Sequence, residues 1–187
     1  QYDQTHVLKL STVYDLPFGK GRRWMTHGIA SQALGGWRLS AIQVYASGFP
    51  IGVTRNSPLP IFNGQNRAYI TTYDRWRAPV SGSFEPAVNL FLNAAAFPAQ
   101  PNSLLGNETR YNPKLRAFPN KAENVSIGKA FAIREPMRLD FRAEAFNLFN
   151  RTVFSTPTTN LNSTSFGVVS GQANSPRQMQ VALKLYW

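Results

Sequence analysis

The sequence predicts an all-β fold, an antiparallel sheet of about five strands. Three observations carry that prediction. Five segments alternate apolar and polar residues with a period of two, the pattern of a strand with unlike faces. Clusters of Gly, Pro, Asn and Ser separate these segments. No stretch approaches the ~18 consecutive apolar residues that a membrane-spanning helix needs. That last point excludes helical spans only, because strands can also cross a bilayer.

The first strand lies in "THVLKLSTVYDLPFG", near 5–17. Leu8, Leu10, Thr12, Tyr14 and Leu16 share one face, and Val7, Lys9, Ser11, Val13 and Asp15 share the other. Pro17, Gly19 and Gly21 end it. The connector to Gly36 predicts a short helical turn at "IASQAL", with Gly35 as its C-terminal cap. The second strand, "GWRLSAIQVYASGFPIGV" near 37–53, alternates imperfectly, and Gly48–Phe49–Pro50 predicts a bend near its end. From 54 to 121 the chain is rich in Asn, Pro, Gly and aromatic residues, with no sustained period beyond a helical turn near "EPAVNLFLNAAAF". Loops of this length are usually functional where they occur.

The third strand, near 122–133, aligns Val125, Ile127, Phe131 and Ile133, with Lys129 interrupting the apolar row. A tight "REP" turn leads into the fourth, near 137–154. There Met137, Leu139, Phe141, Ala143 and Ala145 oppose Arg138, Asp140, Arg142 and Glu144. A polar loop, 155–176, precedes the fifth strand at 177–187. Met179, Val181, Leu183, Leu185 and Trp187 form its apolar face. Antiparallel order sends the two long loops to one end and the two shorter connections to the other, the asymmetry of outer-membrane barrels. By pattern alone, the apolar faces could meet a protein core or lipid.

The net charge of +11 would attract polyanions, whether nucleic acid, anionic headgroups or lipopolysaccharide phosphates. The chain has no cysteine, so thiol catalysis, disulfides and cysteine-based zinc sites are excluded. It begins with Gln1 and carries no signal peptide, which reads as a mature or truncated piece.

Catalytic motifs are not evident. "PFGKGRR" has glycines and cations but lacks the phosphate-loop spacing. His6 and His27 have no metal-ligand spacing to a carboxylate cluster, and Ser47 lacks the nucleophile-elbow context. Arg138, Asp140, Arg142 and Glu144 read as a solvated sheet face or as a barrel-lumen wall with ion pairs across strands. A catalytic carboxylate pair fits poorly, because the neighbouring arginines keep both carboxylates ionised. In "YITTYDRWRAP", Tyr73, Arg75, Trp76 and Arg77 either contact a partner from an extracellular loop or anchor that loop to the rim. The reading is of a non-enzyme without a cofactor or metal.

The blocks "YDLPFGKG", "GGWRLSAIQVYASGFP", "FLNAAAFPAQ", "MRLDFRAEAFNLFNRTVF" and "PRQMQVALKLYW" occur in order across nearly the whole chain. Together they resemble the C-terminal part of TonB-dependent outer-membrane receptors of the Oar-like type, which carry a carboxypeptidase-regulatory-like front domain. The resemblance implies that residues 1–187 are the last five or so strands of a transmembrane β-barrel. Such transporters have roughly 22 strands. The plug, the TonB box and the front domain would lie outside this sequence. It further implies that Arg138, Asp140, Arg142 and Glu144 face the lumen. Met179, Val181, Leu183, Leu185 and Trp187 would be the terminal signal read by the barrel assembly machinery. The implied partners are outer-membrane lipid and lipopolysaccharide, TonB through the preceding region, and an unidentified solute, but no nucleic acid. The implied location is the bacterial outer membrane, and the implied activity is import of a bulky or scarce solute. Two rivals stay open: a structural or adhesive outer-membrane barrel with partner-binding loops, and a soluble basic β-sandwich binding nucleic acid or glycans.

Overall fold

The computed structural model describes residues 3–72 and 75–187. Its regular elements are β1 (Val7–Asp15), α1 (Gly28–Leu34), β2 (Trp37–Ala46), β3 (Pro50–Ile51), β4 (Thr54–Asn56), β5 (Gln65–Arg67), β6 (Asn112–Arg116), β7 (Asn120–Arg134), β8 (Met137–Phe146) and β9 (Gln178–Tyr186). The chain divides into two compact units.

The first unit is a five-stranded open, curved sheet in the order β1-β2-β7-β8-β9, so the strands are neighbours in sequence order. The register of β7, β8 and β9 sorts their side chains into rows. Phe131–Leu139–Leu185, Ile127–Ala143–Val181 and Val125–Ala145–Met179 are apolar across all three strands. The alternate rows are Ala132–Arg138–Tyr186, Ala130–Asp140–Lys184, Gly128–Arg142–Ala182 and Ser126–Glu144–Gln180. A one-residue slip would exchange the two faces, so this segregation fixes the register. The apolar face is largely open on β9, where Met179, Val181 and Leu183 keep 75%, 68% and 65% of their surface exposed. An open apolar face of this kind needs lipid or a partner to cover it.

Lys129 falls in an apolar row, opposite Phe141 and through it Leu183. The structure resolves the intrusion. Its ammonium donates to the backbone carbonyls of Gln32 and Ala33, the latter at 2.9 Å, and lies over the Phe131 and Trp37 rings. These are carbonyls at the C-terminal end of α1, where a helix lacks internal partners and favours a cation. Trp37 packs edge-on against Phe131 and Phe141 and donates its indole N–H to Ala33. The helix forms where the sequence places it, but Gly35 caps it in an extended conformation and Gly36 takes the positive φ. Gly35 is required for closeness instead, since a Cβ there would sit 2.4 Å from the Ser31 carbonyl.

The second unit combines Ala46–Asn120 with Val153–Asn174 and the N-terminal residues. The two long loops therefore fold together rather than separately. Ile51, Val53, Ala68, Ile70, Leu92, Phe97, Leu115, Phe166 and Val169 form part of a buried core. Phe84, Phe91, Phe118 and Phe154 interlock beside it, with Phe118 centred 4.6 Å from Phe91 and 5.1 Å from Phe154. Two short antiparallel ribbons, β3 with β6 and β4 with β5, brace the unit.

Two boundaries differ from expectation. β2 stops at Ala46 rather than reaching 53, and Pro50–Ile51 pairs with β6 in a separate sheet. Past Ala46 the chain runs against another segment: Gly48 lies so close to it that a Cβ would fall 2.0 Å from the Ala117 carbonyl, and Ala117 N–H donates to the Phe49 carbonyl at 3.0 Å. β8 stops at Phe146 rather than 154. Asn147 and Asn150 take positive φ, and the Asn147 side chain bonds the Arg151 N–H and carbonyl in a tight turn. The "EPAVNLFLNAAAF" segment holds a single turn at its start, where Asn89 N–H donates to the Glu85 carbonyl at 2.7 Å, and a 3-10 turn at Ala94–Ala96 capped by the Asn93 side chain.

Candidate functional site

On the sheet, residues of β1, β2, β7 and β8, with Arg22 from the connector after β1, line a cleft of about 640 Å³. Asp15 sits at the end of β1, and its carboxylate accepts from Arg38 Nε at 2.7 Å and from Arg22 at 3.4 Å. Arg138 grips Asp140 with two contacts, at 2.9 and 3.2 Å, and its guanidinium stacks on Tyr186 at 4.5 Å. Arg142 pairs with Glu144, which also accepts from Gln180. All four β8 charges thus lie together on one face.

The charges do not pair across strands as expected. Both ion pairs on β8 run along the strand, between residues two apart. The register explains this: β7 offers only Ala132, Ala130, Gly128 and Ser126 opposite the four charges. Lys184 stands opposite Asp140, but its ammonium lies over Tyr186. Four guanidiniums (Arg22, Arg38, Arg138 and Arg142) then line the cleft against two carboxylates (Asp15 and Asp140), leaving it cationic. Sequence reading missed Asp15, Arg22 and Arg38. Their pairing depends on β1 and β2 meeting end to start, where Leu16 N–H donates to the Trp37 carbonyl.

Met179, Val181, Leu183 and Leu185 occupy the opposite face on β9, and Trp187 follows the strand almost fully exposed. One face is charged, the other is apolar and open, and the strands follow one another in sequence order. A family model described as an outer membrane beta barrel domain matches residues 1–180. The chain belongs to this family. It is a protein of the bacterial outer membrane, and its sheet is part of a barrel wall. Curated proteins and solved structures return no match. The family match covers β1 to β8 and stops within β9, so the terminal aromatic rests on the sequence alone.

The connections β2–β7 and β8–β9 together build the loop unit. Tyr73 lies outside the described residues. Arg75 and Arg77 are exposed, whereas Trp76 is half-buried and packs 5.8 Å from Phe91. Arg77 covers both rings, at 5.1 and 4.8 Å. Trp76 is thus part of the loop unit's own packing. The same unit buries Glu108 to 1% exposure. One of its oxygens accepts from Asn112 at 2.8 Å and the other has no hydrogen-bond partner among the described residues. Burial pushes this carboxyl above the usual glutamate range, against the pull of its hydrogen bonds to Asn112 and the Thr109 amide.

Proposed function

We propose that this barrel wall belongs to a TonB-dependent receptor of the Oar-like type, which imports a bulky or scarce solute across the outer membrane. The observation carrying this reading is the ordered run of blocks from "YDLPFGKG" to "PRQMQVALKLYW", which resembles that receptor type along nearly the whole chain. Membership of an outer-membrane barrel family supports it at the coarser level.

In this reading Arg138, Asp140, Arg142 and Glu144 face the lumen, and Met137, Leu139, Phe141 and Ala143 face lipid. Physical cost favours that assignment. An Arg or Lys turned to the bilayer midplane costs about 2–4 kcal/mol, and β8 carries two arginines on one face. The ion pairs along β8 keep the wall hydrated and leave its guanidiniums able to exchange partners with a passing anionic solute. Met179, Val181, Leu183, Leu185 and Trp187 act as the recognition strand for the assembly machinery, and TonB engages a region preceding this sequence.

Energy coupling is the deciding property. The natural protein, purified in detergent, should bind the periplasmic domain of TonB, and cells lacking it should lose one proton-motive-force-dependent uptake activity. Absence of both would leave a barrel that adheres or scaffolds through its loops.

A further inference from the structure

We propose that a cleft of about 470 Å³ in the loop unit binds an acidic oligosaccharide, one bearing uronate carboxylates. Phe49, Arg110, Tyr111, Thr54, Thr156 and Thr159 line it, and its volume falls in the range of small-ligand sites. The backbone holds these groups in place. Thr54 N–H donates to the Thr159 carbonyl at 3.1 Å, which fixes one wall of threonines. Gly52 touches the segment opposite, since a Cβ there would lie 2.2 Å from the Arg110 carbonyl, and this sets Arg110 and Tyr111 beside β3.

The side chains are built but unspent. Among the described residues, no hydrogen bond engages the hydroxyls of Thr54, Thr156, Thr159 or Tyr111, or the Arg110 guanidinium. Phe49 leaves 44% of its surface exposed, and the Arg110 guanidinium lies 5.6 Å from the Tyr111 ring.

The combination selects a chemistry. Hydroxyls both donate and accept, so a wall of them matches a ligand whose own groups do both, as sugar hydroxyls do. Aromatic rings suit the flat C–H faces of pyranose rings. Among the described residues, Arg110 is the one permanently charged lining group, and none of the lining residues is a carboxylate. A carboxylate on the ligand would meet it as a bidentate pair. An extended peptide would instead be read through free backbone groups on a strand edge. The inference deepens the import reading by naming a substrate class, and rests on that reading only for passage across the membrane after capture.

The test presents the natural protein, in detergent micelles, to an array of neutral, uronate-bearing and carboxyl-reduced oligosaccharides and of extended peptides. Retention on uronate-bearing glycans is expected. Tyr111→Ala should bind them about tenfold more weakly. Arg110→Gln should lose the preference for the acid over its carboxyl-reduced form, and Thr156→Val should weaken both forms. Trypsin resistance of the loop unit checks that each variant is folded. The proposal is overturned if no glycan is retained, if the reduced and acidic forms bind alike, if peptides are retained instead, or if folded variants bind as the parent does. Uptake separates the two readings. Binding without energised accumulation removes import and leaves the site, whereas accumulation indifferent to the variants removes the site and leaves import.

Discussion

Replacing Arg151 with Met should destabilise the barrel by about 3 kcal/mol, although Arg151 lies in a surface turn. Its guanidinium Nε meets both oxygens of Glu123, at 2.9 and 3.1 Å. Glu123 is 1% exposed at its side chain, whereas Arg151 is 44% exposed. Removing one member of a buried pair costs about 3–5 kcal/mol, because the other charge stays buried without compensation. The exposure of Arg151 places this case at the lower end. The pair also ties the turn after β8 to the start of β7, where Leu148 N–H donates to the Glu123 carbonyl at 2.8 Å. In the double variant Glu123→Met, Arg151→Met no buried charge remains, so it should be more stable than Arg151→Met alone. Guanidinium unfolding of the full-length protein in lipid vesicles, followed by tryptophan fluorescence, measures both. A loss below about 1 kcal/mol for Arg151→Met, the size of an exposed pair, would refute the reasoning. A double variant no better than the single would refute it too.

Other outcomes follow from the same structure. Deleting Trp187 should leave synthesis unchanged and sharply lower the amount assembled in the outer membrane, with Trp187→Phe restoring it and Trp187→Lys not; normal levels would make Trp187 an ordinary strand end. Burial raises the Glu108 carboxyl above its unfolded value, so the folded loop unit holds the proton more tightly. Its contribution to stability is full below the ordinary glutamate range and is lost as pH rises through the raised value. Proteolytic protection of the loop unit should therefore fall as pH rises through that window in the parent but not in Glu108→Gln; identical profiles would exclude the effect.

The sheet was legible because its signal is local. A period of two survives in Met137–Phe146 and Gln178–Tyr186 without knowledge of neighbours, and Gly, Pro and Asn mark where it stops. The loop unit was not legible for the converse reason. Val53, Ala68, Leu92, Leu115 and Phe166 reach one core from short irregular segments, so no period announces them. The polar wall was half legible. The β8 charges announce themselves by alternation, but Asp15 meets Arg38 across 23 positions, through a register the sequence does not display. Lys129 looked like a flaw in its strand, and only the carbonyl end of α1 shows why it is tolerated.

The most direct test of the central claim is the parity of accessibility along paired rows of the wall. Single cysteines at 141, 142, 183 and 184 of the full-length protein, assembled in outer-membrane vesicles, can be challenged with a water-soluble and with a membrane-dissolved thiol reagent. Phe141 and Leu183 share one row, and Arg142 and Lys184 point to the other face. Positions 142 and 184 should react with the water-soluble reagent, and 141 and 183 only with the membrane-dissolved one. Labelling of 141 and 183 from water, with 142 and 184 protected, would contradict the assignment of the charged face to the lumen.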